Sequence, residues 1–183
     1  MKIGLLGGSF NPPHQGHIHA SIEAKKHLEL NQIWWLPTKQ NPLKTLGSIK
    51  NDKSDFDQRL NLCQKITKNY PEILVKNDEI NLVSVYTVDL LEKLIKQHPQ
   101  NEFFFIVGAD NIINFHQWRE WKRIIELVKI IIIDRGDFLQ DILKSEAYLY
   151  CCKLNRCYFF QGNKLDISST EIRKKPKKSS THI

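Results

Sequence analysis

Short apolar runs, rich in β-branched and aromatic residues, alternate along this chain with longer stretches whose apolar positions recur at helical spacing. Ile3–Leu6, Ile33–Leu36, Phe103–Val107 and Ile130–Ile133 are the short runs; because they do not alternate with polar residues, they predict parallel strands buried on both faces. Gly16–Leu30, Phe56–Lys68, Val85–Gln97 and Trp118–Val128 predict helices. His98-Pro99 stops the third, since a proline disfavours helical backbone at the residue before it. Residues 147–163 predict one or two further strands, around Tyr148–Tyr150 and Cys157–Phe160. Strand and helix in alternation predict an α/β domain with a doubly wound, mostly parallel sheet. The polar segment Thr38–Asp55 reads as a long loop after the second strand, functional or simply disordered.

Composition narrows the class. A chain of 183 residues, 41% hydrophobic and 26% charged, describes one globular domain rather than a disulfide-stapled miniprotein or a disordered chain. The formal charge of +7 invites nucleic acid or phosphate as a partner. Residues 171–183 carry +4 of it, however, leaving only +3 on residues 1–170. A lysine-rich end with Pro176, Ser179 and Ser180 reads as a solvated terminus, so the expected organisation is one domain over 1–175 and a disordered basic tail over 176–183. No nucleic-acid-binding motif appears, and no nucleic-acid partner is expected. Cys63, Cys151, Cys152 and Cys157 match no zinc spacing and read as reduced structural thiols. No apolar run reaches membrane-spanning or signal-peptide length; a soluble cytoplasmic protein is the expectation.

The chemistry concentrates after the first strand, in Gly7-Gly8-Ser9-Phe10-Asn11-Pro12-Pro13-His14-Gln15-Gly16-His17. Paired glycines let the backbone approach a ligand, two prolines hold a turn, and the following helix presents unpaired N–H groups to an anion. With a helix starting near Gln15 or Gly16, His14 and His17 face the same anion. A metal site would need a third ligand that the local sequence does not offer, so no protein metal site is expected. The alternative is two surface histidines beside a turn. The run also lacks the P-loop lysine and the dinucleotide-fingerprint spacing.

This segment resembles the N-terminal motif of the nucleotidyltransferase superfamily with a His-x-Gly-His signature, and Ile167-Ser168-Ser169-Thr170-Glu171-Ile172-Arg173 resembles its C-terminal Ile-Ser-Ser-Thr-x-x-Arg motif. Read alone, the second stretch is a helix start, with Ser168 and Glu171 at capping-box spacing. Trp34-Trp35-Leu36-Pro37-Thr38, Asn41-Pro42-Leu43-Lys44, Tyr86-Thr87-Val88-Asp89 and Phe105-Ile106-Val107-Gly108-Ala109-Asp110-Asn111, with Phe115, Trp118 and Trp121, extend the resemblance to the nicotinate-nucleotide adenylyltransferase family. The resemblance implies a Rossmann-like nucleotidyltransferase fold with a C-terminal helix. It implies transfer of AMP from ATP to nicotinate mononucleotide, giving nicotinate adenine dinucleotide and pyrophosphate in NAD biosynthesis, with Mg²⁺ accompanying ATP. Nicotinamide mononucleotide or a phosphopantetheine is the alternative acceptor.

Carried over by position, the resemblance implies catalytic roles for His14, His17 and Arg173. It assigns ATP to Gly7, Gly8, Ser9, Phe10, His14, Gly16, His17, Gly108, Asp110, Ile167, Ser168, Ser169, Thr170 and Arg173. It assigns the mononucleotide to Lys44, Thr87, Trp118 and Arg135, with Trp118 stacking on the pyridine ring and Trp121 packing between helices. Simpler readings stand beside these: a buried structural Trp, helix capping by Asp110, a helix-start role for Asp89, and surface charge for Lys44 and Arg135. The chain departs from the usual pattern at Asn11 (Asp), Leu43 (His) and Leu90 (Thr), so no role of those family residues carries over.

Overall fold

A computed structural model describes residues 1–38, 53–77 and 86–161. Among these residues six strands form one sheet: β1 (Lys2–Gly8), β2 (Gln32–Pro37), β3 (Ile73–Val75), β4 (Glu102–Gly108), β5 (Lys129–Asp134) and β6 (Cys157–Gln161). Their order is β3-β2-β1-β4-β5-β6, and every pair is parallel. The doubly wound parallel sheet expected from the apolar runs is thus observed. The seven helices described are α1 (Gln15–Leu28), α2 (Lys53–Thr67), α3 (Thr87–Gln97), α4 (Ala109–Ile113), α5 (Trp121–Leu127), α6 (Leu139–Lys144) and α7 (Glu146–Lys153).

Strand alternation sorts the side chains into two cores. Ile3, Leu5, Trp34, Phe103, Phe105, Ile130 and Ile132 point to the face covered by α3 to α7. Leu6, Ile33, Trp35, Phe104, Ile106, Ile131 and Ile133 point to the face covered by α1 and α2. Burial on both faces explains why these strands read as unbroken apolar runs.

The differences from the sequence reading have local causes. Tyr148–Tyr150 is not a strand but lies inside α7. Ser145 caps that helix by accepting from the Tyr148 N–H, and Ala147 and Cys151, four apart, bury the same face; three residues of Tyr-Leu-Tyr are too few to reveal that period. Trp118–Val128 is helical only from Trp121, because Phe115–Gln117 forms a 3-10 turn and Glu120 takes a left-handed φ of 51°. The three-residue β3 and the short α4 and α6 fall below the length at which periodicity is readable. Cys157–Gln161 is a strand, as expected. The 176–183 tail and the C-terminal helix lie outside the described residues.

One buried polar link ties the helix that follows the glycine turn to the sheet. Trp35 Nε1 donates to Ser21 Oγ at 2.8 Å, and Ser21 Oγ donates to the His17 carbonyl at 2.8 Å; Ser21 is fully buried. Ser21→Ala is expected to orphan the indole N–H and lower stability by about 2 kcal/mol, read as the urea-unfolding midpoint. An unchanged midpoint would mean the link contributes nothing.

Candidate active site

β1 and β4 lie side by side at the centre of the sheet, where connections leave in opposite directions; in such sheets the crevice beyond the strand C-termini receives ligands. The β1 turn is fixed from three sides. Thr38 N–H donates to the Gly8 carbonyl at 2.9 Å. Arg59, 5% exposed on α2, donates from Nη1 to the carbonyls of Ser9 (2.6 Å) and Thr38 (2.9 Å) and from Nε to Asp55 (3.1 Å). Phe10 turns inward, 1% exposed, and stacks on Trp35 with ring centroids 4.7 Å apart. Its φ of 45° costs about 1–3 kcal/mol for a residue other than glycine. Burying a phenyl ring contributes about 2–3 kcal/mol and the stacked pair about 1 kcal/mol more, which offsets that cost. The sequence did not single out Arg59. The readable signal was a lone cation on the buried stripe Phe56, Arg59, Cys63 of an otherwise amphipathic helix.

His14 is the N-cap of α1 and His17 its third residue, as the spacing predicted. The His14 ring accepts at Nδ1 from the Gly16 N–H (3.1 Å), and the His17 ring accepts at Nδ1 from the His14 N–H (3.2 Å). A backbone N–H only donates, so both Nδ1 atoms carry lone pairs and each neutral ring holds its proton on Nε2. The ring centroids are 3.9 Å apart. Burial lowers the pKa of His14, and the Arg135 charge lowers it further. Burial, His14 and Arg135 together bring His17 down to about 3, the opposing pull of the His14 backbone notwithstanding. Near neutral pH both histidines are therefore uncharged donors.

Arg135 follows the last residue of β5, and strand alternation puts it on the α1 face with Ile131 and Ile133. Its guanidinium lies against Gly16, where any Cβ would collide with Arg135 Nη1 and would stand 2.9 Å from the His14 ring. Gly16 is therefore required for the three groups to converge. Arg135 Nη1 is buried and has no hydrogen-bond partner among the described residues. Asp134, fully buried, accepts from the Gly136 N–H at 3.0 Å and so shapes the turn that carries Arg135. The N–H groups of His14, Gly16 and His17, expected to be free for an anion, are instead taken up by the histidine rings and the His14 carbonyl. The product is a cationic guanidinium and two Nε2–H donors at the positive end of the α1 dipole, a combination suited to a polyanion.

The remaining positions divide between a second wall and the undescribed segments. Gly108 ends β4 and is the N-cap of α4, and the exposed Asp110 lies in the first turn of that helix. Thr87 opens α3, and Asp89 lies in its first turn. Trp118 is half-buried between Phe115, stacked at 4.7 Å, and the edge of Phe105. Trp121 meets Tyr150 of α7 edge-on at 5.3 Å, the interhelical packing expected of it. Leu90 is in the core and Asn11 is exposed. Arg135, a candidate for phosphate or pyridine-carboxylate contacts of the mononucleotide, sits beside the histidine pair. Lys44, Leu43, Ile167, Ser168, Ser169, Thr170 and Arg173 lie outside the described residues. Among the described residues no group of three or more His, Cys, Asp or Glu is placed to hold a metal ion, and no helix is long and apolar enough to cross a membrane.

The depressed histidine makes the fold pH-sensitive. In the unfolded chain His17 takes up a proton as pH falls below 6.5, while the folded site resists protonation down to about 3. Its contribution to stability is thus complete above pH 6.5 and is lost progressively between there and about 3. Thermal midpoints measured over that range should fall more steeply for the natural chain than for His17→Asn, which keeps an acceptor but does not titrate. Parallel slopes would contradict the assignment.

Residues 5–175 match the Cytidylyltransferase-like family model. A Pelagibacter ubique protein named "Probable nicotinate-nucleotide adenylyltransferase" is 42% identical over 173 residues, covering 94% of this chain and 92% of that relative. An Agrobacterium fabrum protein of the same name is 34% identical, covering 94% and 98%. Among solved structures, the Plasmodium falciparum nicotinic acid mononucleotide adenylyltransferase complexed with NaAD superposes with a TM-score of 0.73 at 25% identity, covering 94% of this chain and 82% of that one. With the turn, the histidine pair and the sheet order all inside the matched span, the chain belongs to the Cytidylyltransferase-like family.

Proposed function

We propose that this protein transfers the AMP moiety of ATP to nicotinate mononucleotide, giving nicotinate adenine dinucleotide and pyrophosphate in NAD biosynthesis. The observation that carries the reading is the convergence, at the N-terminus of α1, of two neutral Nε2–H donors and a guanidinium whose Nη1 has no hydrogen-bond partner among the described residues. Near-end-to-end relatives bearing nicotinate-nucleotide adenylyltransferase names support the choice of acceptor.

The acceptor's phosphate is already an anion, so its attack on the α-phosphorus requires no general base. The new bond joins that phosphate oxygen to the α-phosphorus, the bond from the α-phosphorus to the β-bridging oxygen breaks, and pyrophosphate leaves with the bond's electrons. Charge grows on the bridging and non-bridging oxygens, and the protein's task is to position the reactants and stabilise that charge. His14 and His17 would donate from Nε2 to phosphate oxygens, with Arg135 adding a fixed positive charge. Gly7, Gly8, Ser9, Phe10 and Gly16 shape the backbone that approaches ATP, and Arg173 with Ile167, Ser168, Ser169 and Thr170 would close the triphosphate site. Gly108 and Asp110 would line its other wall; Thr87, Trp118 and Lys44 would receive the mononucleotide. The donor set here, a guanidinium and imidazole N–H groups, suits phosphate oxygens rather than a metal ion, so Mg²⁺ would be held by the phosphates of ATP and would supply neutralisation of their charge. The free thiols of all four cysteines favour a reducing compartment, the cytoplasm.

Pyrophosphate release should be measured with ATP and either nicotinate mononucleotide or nicotinamide mononucleotide; faster turnover with the nicotinate form is expected. In His17→Ala, kcat should fall by about 100-fold or more, with a smaller change in KM, the effect of losing one preorganised donor. Folded protein that releases no pyrophosphate with either acceptor would overturn the reading.

A further inference from the structure

At the edge of the sheet opposite the phosphate cradle, the end of α7 and the start of β6 bring three of the four cysteines together. Cys152 Sγ and Cys157 Sγ are 3.3 Å apart, and the thiols of Cys151 and Cys157 are also hydrogen-bonded. Cys152 is exposed, Cys157 half-buried and Cys151 fully buried. We propose that Cys152 and Cys157 form a reversible thiol–disulfide site that takes low-molecular-weight disulfides as its oxidant. The inference is independent of the proposed reaction.

The backbone holds the pair in place. Asn155 turns the chain with a left-handed φ of 53°. Its N–H donates to the Cys152 carbonyl at 2.9 Å and the Arg156 N–H to the Cys151 carbonyl at 3.0 Å, while the Arg156 carbonyl accepts from the Ile130 N–H at 2.8 Å. Both sulfurs thus hang from a closed turn. Reaching a bond length of about 2.05 Å asks for about 1.2 Å of relative sulfur movement, within the reach of side-chain rotation. A metal is a poorer fit, because the three thiols are not placed to hold one.

The chemistry balances with one oxidant. The exposed Cys152 thiolate attacks a sulfur of oxidised glutathione, expelling one glutathione thiolate and leaving a mixed disulfide. Cys157, deprotonated, then attacks Cys152 Sγ, expelling the second glutathione. Two protein thiols and one disulfide become one protein disulfide and two glutathione thiols. Burial, first, keeps the Cys152 thiol above its ordinary pKa, and a hydrogen bond with Cys151, first, does so for Cys157. Tyr148, whose hydroxyl is hydrogen-bonded to Cys152, is itself pushed up to about 12. Exchange is consequently slow at neutral pH and faster in mildly alkaline buffer. Cys157 pairs with Ile130 at the start of β5, whereas Arg135 follows its end, about 16 Å of strand away.

The full chain should be incubated with oxidised glutathione in mildly alkaline buffer and digested with trypsin without reduction. Cleavage after Lys144, Lys153, Arg156 and Lys164 places Cys152 and Cys157 on separate peptides. The expected result is a linked pair of residues 145–153 with 157–164, released by dithiothreitol, absent in Cys152→Ser and retained in Cys63→Ala. Because residues 145–153 also hold Cys151, Cys152→Ser assigns the sulfur. A lasting glutathione adduct on Cys152 without the linked pair, or a linked pair that survives in Cys152→Ser, would overturn the proposal.

Discussion

Two backbone N–H groups, those of His14 and Gly16, determine which nitrogen of each histidine carries the proton. Each N–H points at an Nδ1, and an N–H has nothing to offer but its hydrogen, so Nε2 becomes the donor of both rings. Had a carbonyl stood in either place, the tautomer would reverse and the free nitrogen would repel a phosphate. Burial and the neighbouring Arg135 then favour the uncharged form of both rings. The pair thus serves a polyanion through directed hydrogen bonds, while the fixed charge comes from a guanidinium whose Nη1 has no hydrogen-bond partner among the described residues.

Much of the surrounding structure maintains that junction. Arg59 fastens the turn carbonyl of Ser9 to the end of β2, and Phe10 anchors the turn on Trp35. Trp35 in turn holds Ser21, and through it the His17 carbonyl on the first turn of α1. Gly16 leaves the space in which Arg135 meets His14. A polar site is held here by a buried aromatic stack and buried hydrogen bonds, and none of these residues need touch a substrate to matter for geometry.

The sequence was legible where a single period or a single motif dominates. Doubly buried strands such as Ile130–Ile133 announce themselves by unbroken apolar runs, and the glycine–proline–histidine turn by residue types with few other uses. Arg135 could be found as a candidate but not placed, because its proximity to His14 depends on β5 lying two strands from β1 and on the pleat that turns it toward α1. Arg59 escaped notice because its partners are backbone carbonyls, which sequence does not distinguish. Tyr148–Tyr150 misled because three residues fit either period until Ala147 and Cys151 are seen to share a buried face.

The most direct test of the central claim is long-range ¹⁵N–¹H NMR of the histidine rings in the full chain near neutral pH, assigned through His14→Asn and His17→Asn. Couplings from the ring carbon-bound protons to each nitrogen report which one is protonated. The account predicts that both His14 and His17 are neutral with the proton on Nε2. A doubly protonated ring, or a proton on Nδ1 of either residue, would contradict it.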